Sequence, residues 1–296
     1  MLTINPKETK TAALHSYLLG AVAPRPIAFA STIDKDGNPN LSPFSFFNCF
    51  SANPPILVFS PARKGKDNTT KHTFENVREI KEVVINVVNY AMVQQMSLAS
   101  TEYPKGVNEF TKAGFTMLKS DLIKPFRVKE SPVQFECKVN EVIELGNQGG
   151  AGNLVICEIL LIHINENILE ENKNIDQHKI DLVARLGGNW YSRNSGSCLF
   201  EVEKPLTTIG IGVDNIPKNI RNSEVLTGND LGKLGNVEKL PSQEEVNEFK
   251  KNNLMDLFSK NENNFINLQK EIHKIAHQYL ENGKVIDAWK VLLSLA

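Results

Sequence analysis

From Pro26 to Ile164 apolar and polar positions mostly alternate with a period of two, the signature of half-buried strands. Ile27 to Thr32 predicts a strand, and Asp34-Lys35-Asp36-Gly37-Asn38 supplies the turn chemistry that reverses it into a return strand from Asn40 to Phe50. Pro54-Pro55 interrupts the chain before a short apolar strand, Ile56 to Ser60. Phe74, Val77 and Ile80 then recur at helical spacing behind Thr73 as cap, leading into the strand Val83 to Val88. Ala91 to Ser100 and Val107 to Ala113 read as helical, and Phe115 to Leu118 as a brief strand. The clearest alternation places Val133, Phe135, Cys137, Val139, Ile143 and Leu145 on one face, with Gln134, Glu136, Lys138, Asn140 and Glu144 on the other. Asn147 to Asn153 is a flexible reversal before the long apolar strand Leu154 to Ile164. Five or six strands joined mainly by reversals predict a mainly β domain, a closed antiparallel barrel rather than a βαβ sheet.

The pattern changes after about Phe200. Pro205 to Pro241 is rich in Gly, Asn and Leu, and from Ser242 the apolar residues Val246, Phe249, Leu254, Phe258, Phe265, Leu268, Ile272, Ile275, Val285, Trp289 and Leu292 fall at helical spacing. The expected organisation is a β domain over 1–200 and a largely helical extension over 201–296, packed on the barrel or on a partner subunit.

Composition narrows the function classes. The 33 basic and 34 acidic residues leave a net charge of −1, so there is no global field to attract nucleic acid or an anionic membrane, and any anion site must be local. The opening MLTINPKETK lacks a secretory pattern, and no apolar run approaches the roughly 20 residues that span a bilayer, so a cytoplasmic location is expected. Cys49, Cys137, Cys157 and Cys198 form no CxxC pair, which disfavours zinc and predicts reduced, mostly buried thiols; Cys49 alone adjoins a candidate site.

Four stretches could carry chemistry. Arg25 is mounted between Pro24 and Pro26, a stiff setting that suits a guanidinium with something specific to hold. The loop from Pro61 to Thr73 gathers Arg63, Lys64, Lys66, Lys71 and His72 with the hydroxyls of Thr69, Thr70 and Thr73 against Asp67, and it opens a helix; it reads equally as a phosphate site or as a solvated basic loop. In Asn40 to Asn48, small polar groups and Phe44, Phe46 and Phe47 offer a wall for a flat heteroaromatic ring, or simply an aromatic core. Arg185 and Tyr191 flank two glycines that permit close backbone approach, or form a plain tight turn. Gly228 to Lys233 fails the P-loop spacing. His273 and His277 lie one helical turn apart without an acid between them and read as a solvated face; His163 reads as a structural histidine, with a nicotinamide contact as the alternative.

Taken together and in order, PRPIAFASTIDKDGNPNLSPFSFFN, NPPILVFSPARKGKDNTTKHTFENVRE, VVINVV, NEFTKAGF, ESPVQFECKVNEVIELG and RLGGNWYSR resemble the flavin reductase-like family of FMN-binding split barrels over roughly Ala21 to Arg193. The resemblance implies a six-stranded antiparallel Greek-key split barrel with peripheral helices, forming a homodimer with FMN near the interface. It implies flavin contacts from Arg25, Ser31 and Thr32, a ring-facing stretch of Ser45, Phe46, Phe47 and Asn48, and a phosphate loop of Lys66, Asp67, Thr69, Thr70 and Lys71. It also implies approach of Arg185 and Tyr191, from the same or the partner subunit. The implied activity is an FMN-dependent NAD(P)H oxidoreductase passing electrons to free flavin, a ferric complex or another small-molecule acceptor, with the isoalloxazine performing the chemistry and no metal or catalytic triad. A flavoredoxin-like electron carrier reduced by a redox protein partner is the alternative, and a non-redox binding role a third. The chain departs from the shorter family members by continuing from Arg193 to Ala296.

Overall fold

The computed structural model describes residues 1–202 and 204–295. Two compact units divide the chain, Met1–Phe200 and Glu201–Ala296.

The first unit opens with helix α1 (Thr11–Ala21), which the periodicity does not predict. Strands β1 (Ala28–Ile33) and β2 (Pro39–Phe44) form the expected hairpin, with the Asp34 carboxylate accepting the N–H groups of Asp36 at 3.0 Å and Asn38 at 2.9 Å. Gly37 takes the positive φ, 85°, that this turn requires. There follow β3 (Phe47–Ala52), β4 (Pro55–Phe59), α2 (His72–Glu79), β5 (Glu82–Asn86), α3 (Val93–Leu98), α4 (Glu109–Ala113) and the two-residue pair β6 (Met117–Leu118) and β7 (Arg127–Val128). Long strands β8 (Val133–Glu144) and β9 (Asn153–Ile164) precede a separate ribbon, β10 (Leu182–Arg185) and β11 (Tyr191–Asn194).

Among the described residues the main sheet has seven strands, not six, in the order β2-β1-β5-β8-β9-β4-β3, with every neighbour antiparallel. The difference arises in Asn40 to Phe50, which reads as one return strand but breaks at Ser45-Phe46 into β2 and β3, placed at opposite edges. Seven flat strands would hold those edges about 29 Å apart. The two-residue link from Phe44 to Phe47 can reach only about 11 Å. The sheet therefore curls until its edges approach, yet β2 and β3 share no ladder, so the barrel is open along this seam rather than closed.

The curl creates two cores from one strand. Ala28 and Ala30 of β1 face Leu57, Phe59, Val83, Ile85 and Val155 inside the sheet, whereas Ile27 and Phe29 face Met92, Met96 and Phe110 on the outer, helical side. A buried polar seam fastens α2 to the hairpin: Thr32 Oγ1 accepts from Asn40 Nδ2 at 3.3 Å and Asn76 Nδ2 at 3.1 Å, and Asn40 Nδ2 reaches Thr73 Oγ1 at 2.9 Å. Thr73 is thus spent within the helix, and Lys71 occupies the cap position expected for Thr73.

Three further expectations are corrected. Gln134 and Glu136 are buried, not solvated: Gln134 donates to the carbonyls of Val128 and Ser131 just before β8, and the β6–β7 loop folds over Glu136, which accepts the N–H groups of Asp121 and Leu122, each at 2.8 Å, and touches His163 Nε2 at 2.7 Å. Cys137 and Cys157 are buried, with burial pushing both thiols up, but Cys49 and Cys198 are exposed. The third concerns the histidines of the second unit. That unit comprises α5 (Lys218–Arg221), α6 (Gly228–Gly235), α7 (Gln243–Asn253), α8 (Met255–Lys260), α9 (Phe265–Glu281) and α10 (Val285–Leu293) around a core with Leu234, Ile272, Leu280 and Trp289 at its centre. His273 is buried against Ser223 Oγ at 2.7 Å, and His277 meets Asp230 at 2.9 Å, so neither lies on a free solvated face.

Thr32→Val removes the acceptor shared by Asn40 and Asn76 without changing shape, and is expected to lower unfolding free energy by about 1–3 kcal/mol. Urea unfolding followed by circular dichroism tests this; an unchanged midpoint would show that the seam contributes nothing net.

Candidate functional site

Arg25 answers to backbone. Its Nη1 donates to Leu19 O at 2.6 Å and to Val22 O, its Nη2 to Leu186 O at 3.0 Å, and its Nε to Ser45 Oγ at 3.4 Å. The last carbonyls of a helix lack intrahelical donors, and a cation there also complements the helix dipole. Arg25 thereby joins the end of α1, the edge-to-edge crossing and the β10–β11 ribbon. Its backbone pairs with that of Arg185 in both directions, at 2.9 and 2.8 Å. The close fit extends to Gly187, where a Cβ would lie 3.2 Å from the Cα of Gly20. Burial, then the proximity of Arg185, holds the Arg25 guanidinium below its ordinary value.

Ser31 and Thr32 are wholly inside: Thr32 is engaged by the two asparagines, and Ser31 Oγ is buried with no partner among the described residues. By contrast the crossing and β3 lie at the surface. Phe46 and Asn48 are exposed, Ser45 and Phe47 partly so, and the side-chain Oδ1 of Asn48 accepts the Cys49 N–H at 2.8 Å, leaving Nδ2 to donate elsewhere.

The basic loop separates into a tip and a base. At the tip, Lys66 is exposed, and Asp67 turns back on Thr69, accepting its hydroxyl at 2.7 Å and its N–H at 3.0 Å; the hydroxyl bond, then the N–H, holds this carboxyl below its ordinary value. At the base, Lys64, Thr70 and Lys71 line a small cavity of about 40 Å³ together with Ser42, Glu102 and Glu109. Lys71 Nζ lies 2.8 Å and Lys64 Nζ 3.6 Å from the same oxygen of Glu102. Thr70 donates to Glu75 at 2.8 Å. Among the described residues no hydrogen bond or ion pair joins this loop to Arg25, Arg185 or Tyr191; the latter three, with Ser45, form a second cluster in which the Arg185 guanidinium stands 4.6 Å from the centroid of the Tyr191 ring.

Glu102 and Glu109 escape sequence reasoning because isolated acids carry no spacing signal. Tyr90 and Arg193 are missed as well, although Tyr191-Ser192-Arg193 in a strand does put the tyrosine and the arginine on one face. Glu109 is buried, and burial pushes its carboxyl up, opposed by its own N–H and that of Leu41, which donates at 3.1 Å.

Because the folded chain holds the Glu109 proton more tightly than the unfolded chain does, its contribution to stability falls as pH rises from the ordinary carboxylate range through the raised value. Glu109→Gln keeps an acceptor for Leu41 and abolishes that loss. Thermal melts across pH should show the variant more stable than the parent at neutral pH, with the gap closing in acid; a pH-independent gap would deny the carboxyl its raised value.

The flavin reductase like domain family matches residues 20–181, leaving the second unit outside the match. An uncharacterized protein of Aquifex aeolicus is 40% identical over 196 residues, covering 66% of this chain and 97% of its own length. Among solved structures, nitrilotriacetate monooxygenase component B from Bacillus cereus is similar with a TM-score of 0.64 and 30% identity, over 68% of this chain and 98% of that one. The 2-nitrobenzoate 2-nitroreductase NbaA of Pseudomonas fluorescens, at 24% identity and a TM-score of 0.61, shares the fold over 71% of this chain and 100% of that one.

Proposed function

The chain belongs to the flavin reductase like domain family, and from that membership we propose that it is a flavin-dependent oxidoreductase that binds FMN in its first unit, takes hydride from NADH or NADPH, and passes electrons to a small acceptor. What carries the reading is the coincidence of the family match over 20–181 with a cationic loop whose Lys64 and Lys71 already grip one carboxylate oxygen as they would grip a phosphate oxygen. The similarity to a monooxygenase component and the shared fold with a nitroreductase support redox chemistry.

The residues fit the cofactor unevenly. Lys64 and Lys71 at the base of the loop would hold the phosphate, Lys66 from the tip would join them, as would Thr69 and Thr70 on release from Asp67 and Glu75, and Asp67 would shape the turn rather than touch the phosphate. Phe46, Phe47 and Asn48 would present an apolar surface and an amide to the ring edge, and Ser45 would be oriented by Arg25. Ser31, Thr32 and Arg25 would support from behind, being buried or spent on backbone. Bound FMN would supply the hydride-accepting centre. This chain's own part is then to fix the ring beside the crossing and to neutralise the phosphate.

The same region supports a homodimer. Helix α1, TAALHSYLLGA, is apolar yet buries none of its residues, and Tyr17, Leu18, Val22, Phe46 and Phe50 are exposed, with His15 packed edge-on against Phe46. Apolar surface of this kind calls for a partner, and a second copy would cover it beside the proposed ring site. A flavin carrier reduced by another protein is the second reading; exposed Met255, Phe265 and Ile266 in the second unit favour it. Among the described residues no helix is long and apolar enough to cross a membrane.

Purified protein should show flavin absorption that bleaches anaerobically with NADPH or NADH; flavin that persists with both but bleaches with a reductase would replace the enzyme by the carrier. Lys71→Ala and Lys66→Ala should each weaken FMN binding by about 1–3 kcal/mol, whereas Glu102→Gln, which frees Lys64 and Lys71, should tighten FMN and leave riboflavin unchanged. Equal responses of FMN and riboflavin would remove the phosphate from this loop. Leu18→Glu should convert a dimer to a monomer in sedimentation, and a dimer that survives it would take the interface away from α1.

A further inference from the structure

A cavity of about 370 Å³ opens between helix α3 and one face of the β10–β11 ribbon. The register sets Arg185 opposite Tyr191 and Arg193 opposite Val183, so two arginines share that face on adjacent strands. Each guanidinium lies on a ring: Arg185 is 4.6 Å from the Tyr191 centroid and Arg193 is 3.9 Å from that of Tyr90. Stacking holds both planes fixed before anything binds, which reduces the rotamer entropy lost on binding.

The charge here is not balanced. Asp181 accepts Nε and Nη2 of Arg193 at 2.8 and 2.9 Å, but among the described residues Arg185 has no carboxylate partner, and its Nη1 donates only to Trp190 O at 3.0 Å. Arg185 is close enough to Arg25 to depress it. No aspartate or glutamate lines the cavity. Gln94 and Ser97 on the α3 wall have side chains without hydrogen bonds among the described residues. An apolar floor of Val93 and Val183 completes the lining. Its volume falls in the range of about 300–1,000 Å³ that small-molecule sites occupy.

We propose that this cavity binds a small organic anion, a flat ring bearing a phosphate or carboxylate, with the charge taken by Arg185 and Arg193 and the ring held against the valines and stacked side chains. The Nε and Nη2 edge of Arg185 matches the paired oxygens of either anion, Arg193 adds charge and the donors that Asp181 leaves over, and the free amide and hydroxyl on α3 serve the ring's polar edge. Two sources share this chemistry: the phosphate-bearing end of a nicotinamide nucleotide that delivers electrons, and an aromatic acid that receives them. The cavity adjoins the proposed ring site through Arg185, Arg25 and Ser45. Its redox role rests on the flavin reading, but the binding does not, since a protein without flavin would still show it.

Calorimetric titration of the full chain at low salt, with adenosine 2′,5′-bisphosphate and with benzoate as separate probes, tests the site. At least one probe is expected to bind with a Kd below about 1 mM. Arg185→Gln and Arg193→Gln should each weaken it about ten-fold or more, while Lys260→Gln, an equal change of net charge in the second unit, should not. Tighter binding of the bisphosphate identifies the nucleotide source and tighter binding of benzoate the aromatic acid. Should Arg193→Gln unfold through loss of Asp181, Arg185→Gln decides alone, because its pairing with Arg25 is through backbone. Absence of binding by both probes, or affinity that survives the arginine substitutions, overturns the proposal.

Discussion

The first unit depends on the reach of a two-residue link. Ser45 and Phe46 carry the chain between the two edge strands of a seven-stranded sheet, and the sheet must curl to meet that reach. Curling gives β1 two buried faces, which explains why all six of its residues are buried, Ala28 and Ala30 among the inner core. The link also sits at the surface, so the same constraint that shapes the core presents Phe46 and the adjoining Asn48 to whatever binds there. Ser60 N–H donates to Phe46 O at 2.9 Å and Arg25 reaches Ser45, so the crossing is held from two sides.

Much of this was legible from periodicity, and the exceptions have physical causes. The β1–β2 turn, β4, β5, β8 and β9 and helices α7 to α10 lie where alternation or helical spacing puts them, because their apolar faces are buried within one unit, whereas α5 and α6 fall in the Gly- and Asn-rich stretch that gives no helical spacing. Helix α1 was not legible: with none of its residues buried, nothing inside the unit selects its pattern. The break at Ser45-Phe46 is invisible because the residues on both sides alternate as one strand would, and only long-range pairing assigns them to opposite edges. Glu136 looks solvent-facing because the β6–β7 loop that covers it comes from outside its own strand, and Gln134 because its amide turns in to the carbonyls of Val128 and Ser131.

Candidate site residues were legible as segments more than as roles. The arginine between two prolines does hold something specific, namely the carbonyls of Leu19, Val22 and Leu186, so its rigidity organises the junction. Ser31 and Thr32 lie behind the surface; Glu102 comes from a segment with no motif of its own, and Arg193, the last residue of RLGGNWYSR, shows its place only once the ribbon pairs. Spacing along a strand can show which residues share a face, but not which distant acid closes an ion pair.

The two cationic clusters differ in a way that bears on their use. Lys64 and Lys71 share a carboxylate that is itself more than half exposed; hydrogen bonding to Lys71, then its charge, holds Glu102 below its ordinary value. An exposed pair of this kind contributes little to stability, so an incoming dianion can displace Glu102 at small cost. Arg185 has no such counter-ion, and its neighbour Arg25 is committed to backbone. On the proposed reading the loop would exchange one anion for another, whereas Arg185 would gain its first, beside an Arg193 already paired with Asp181.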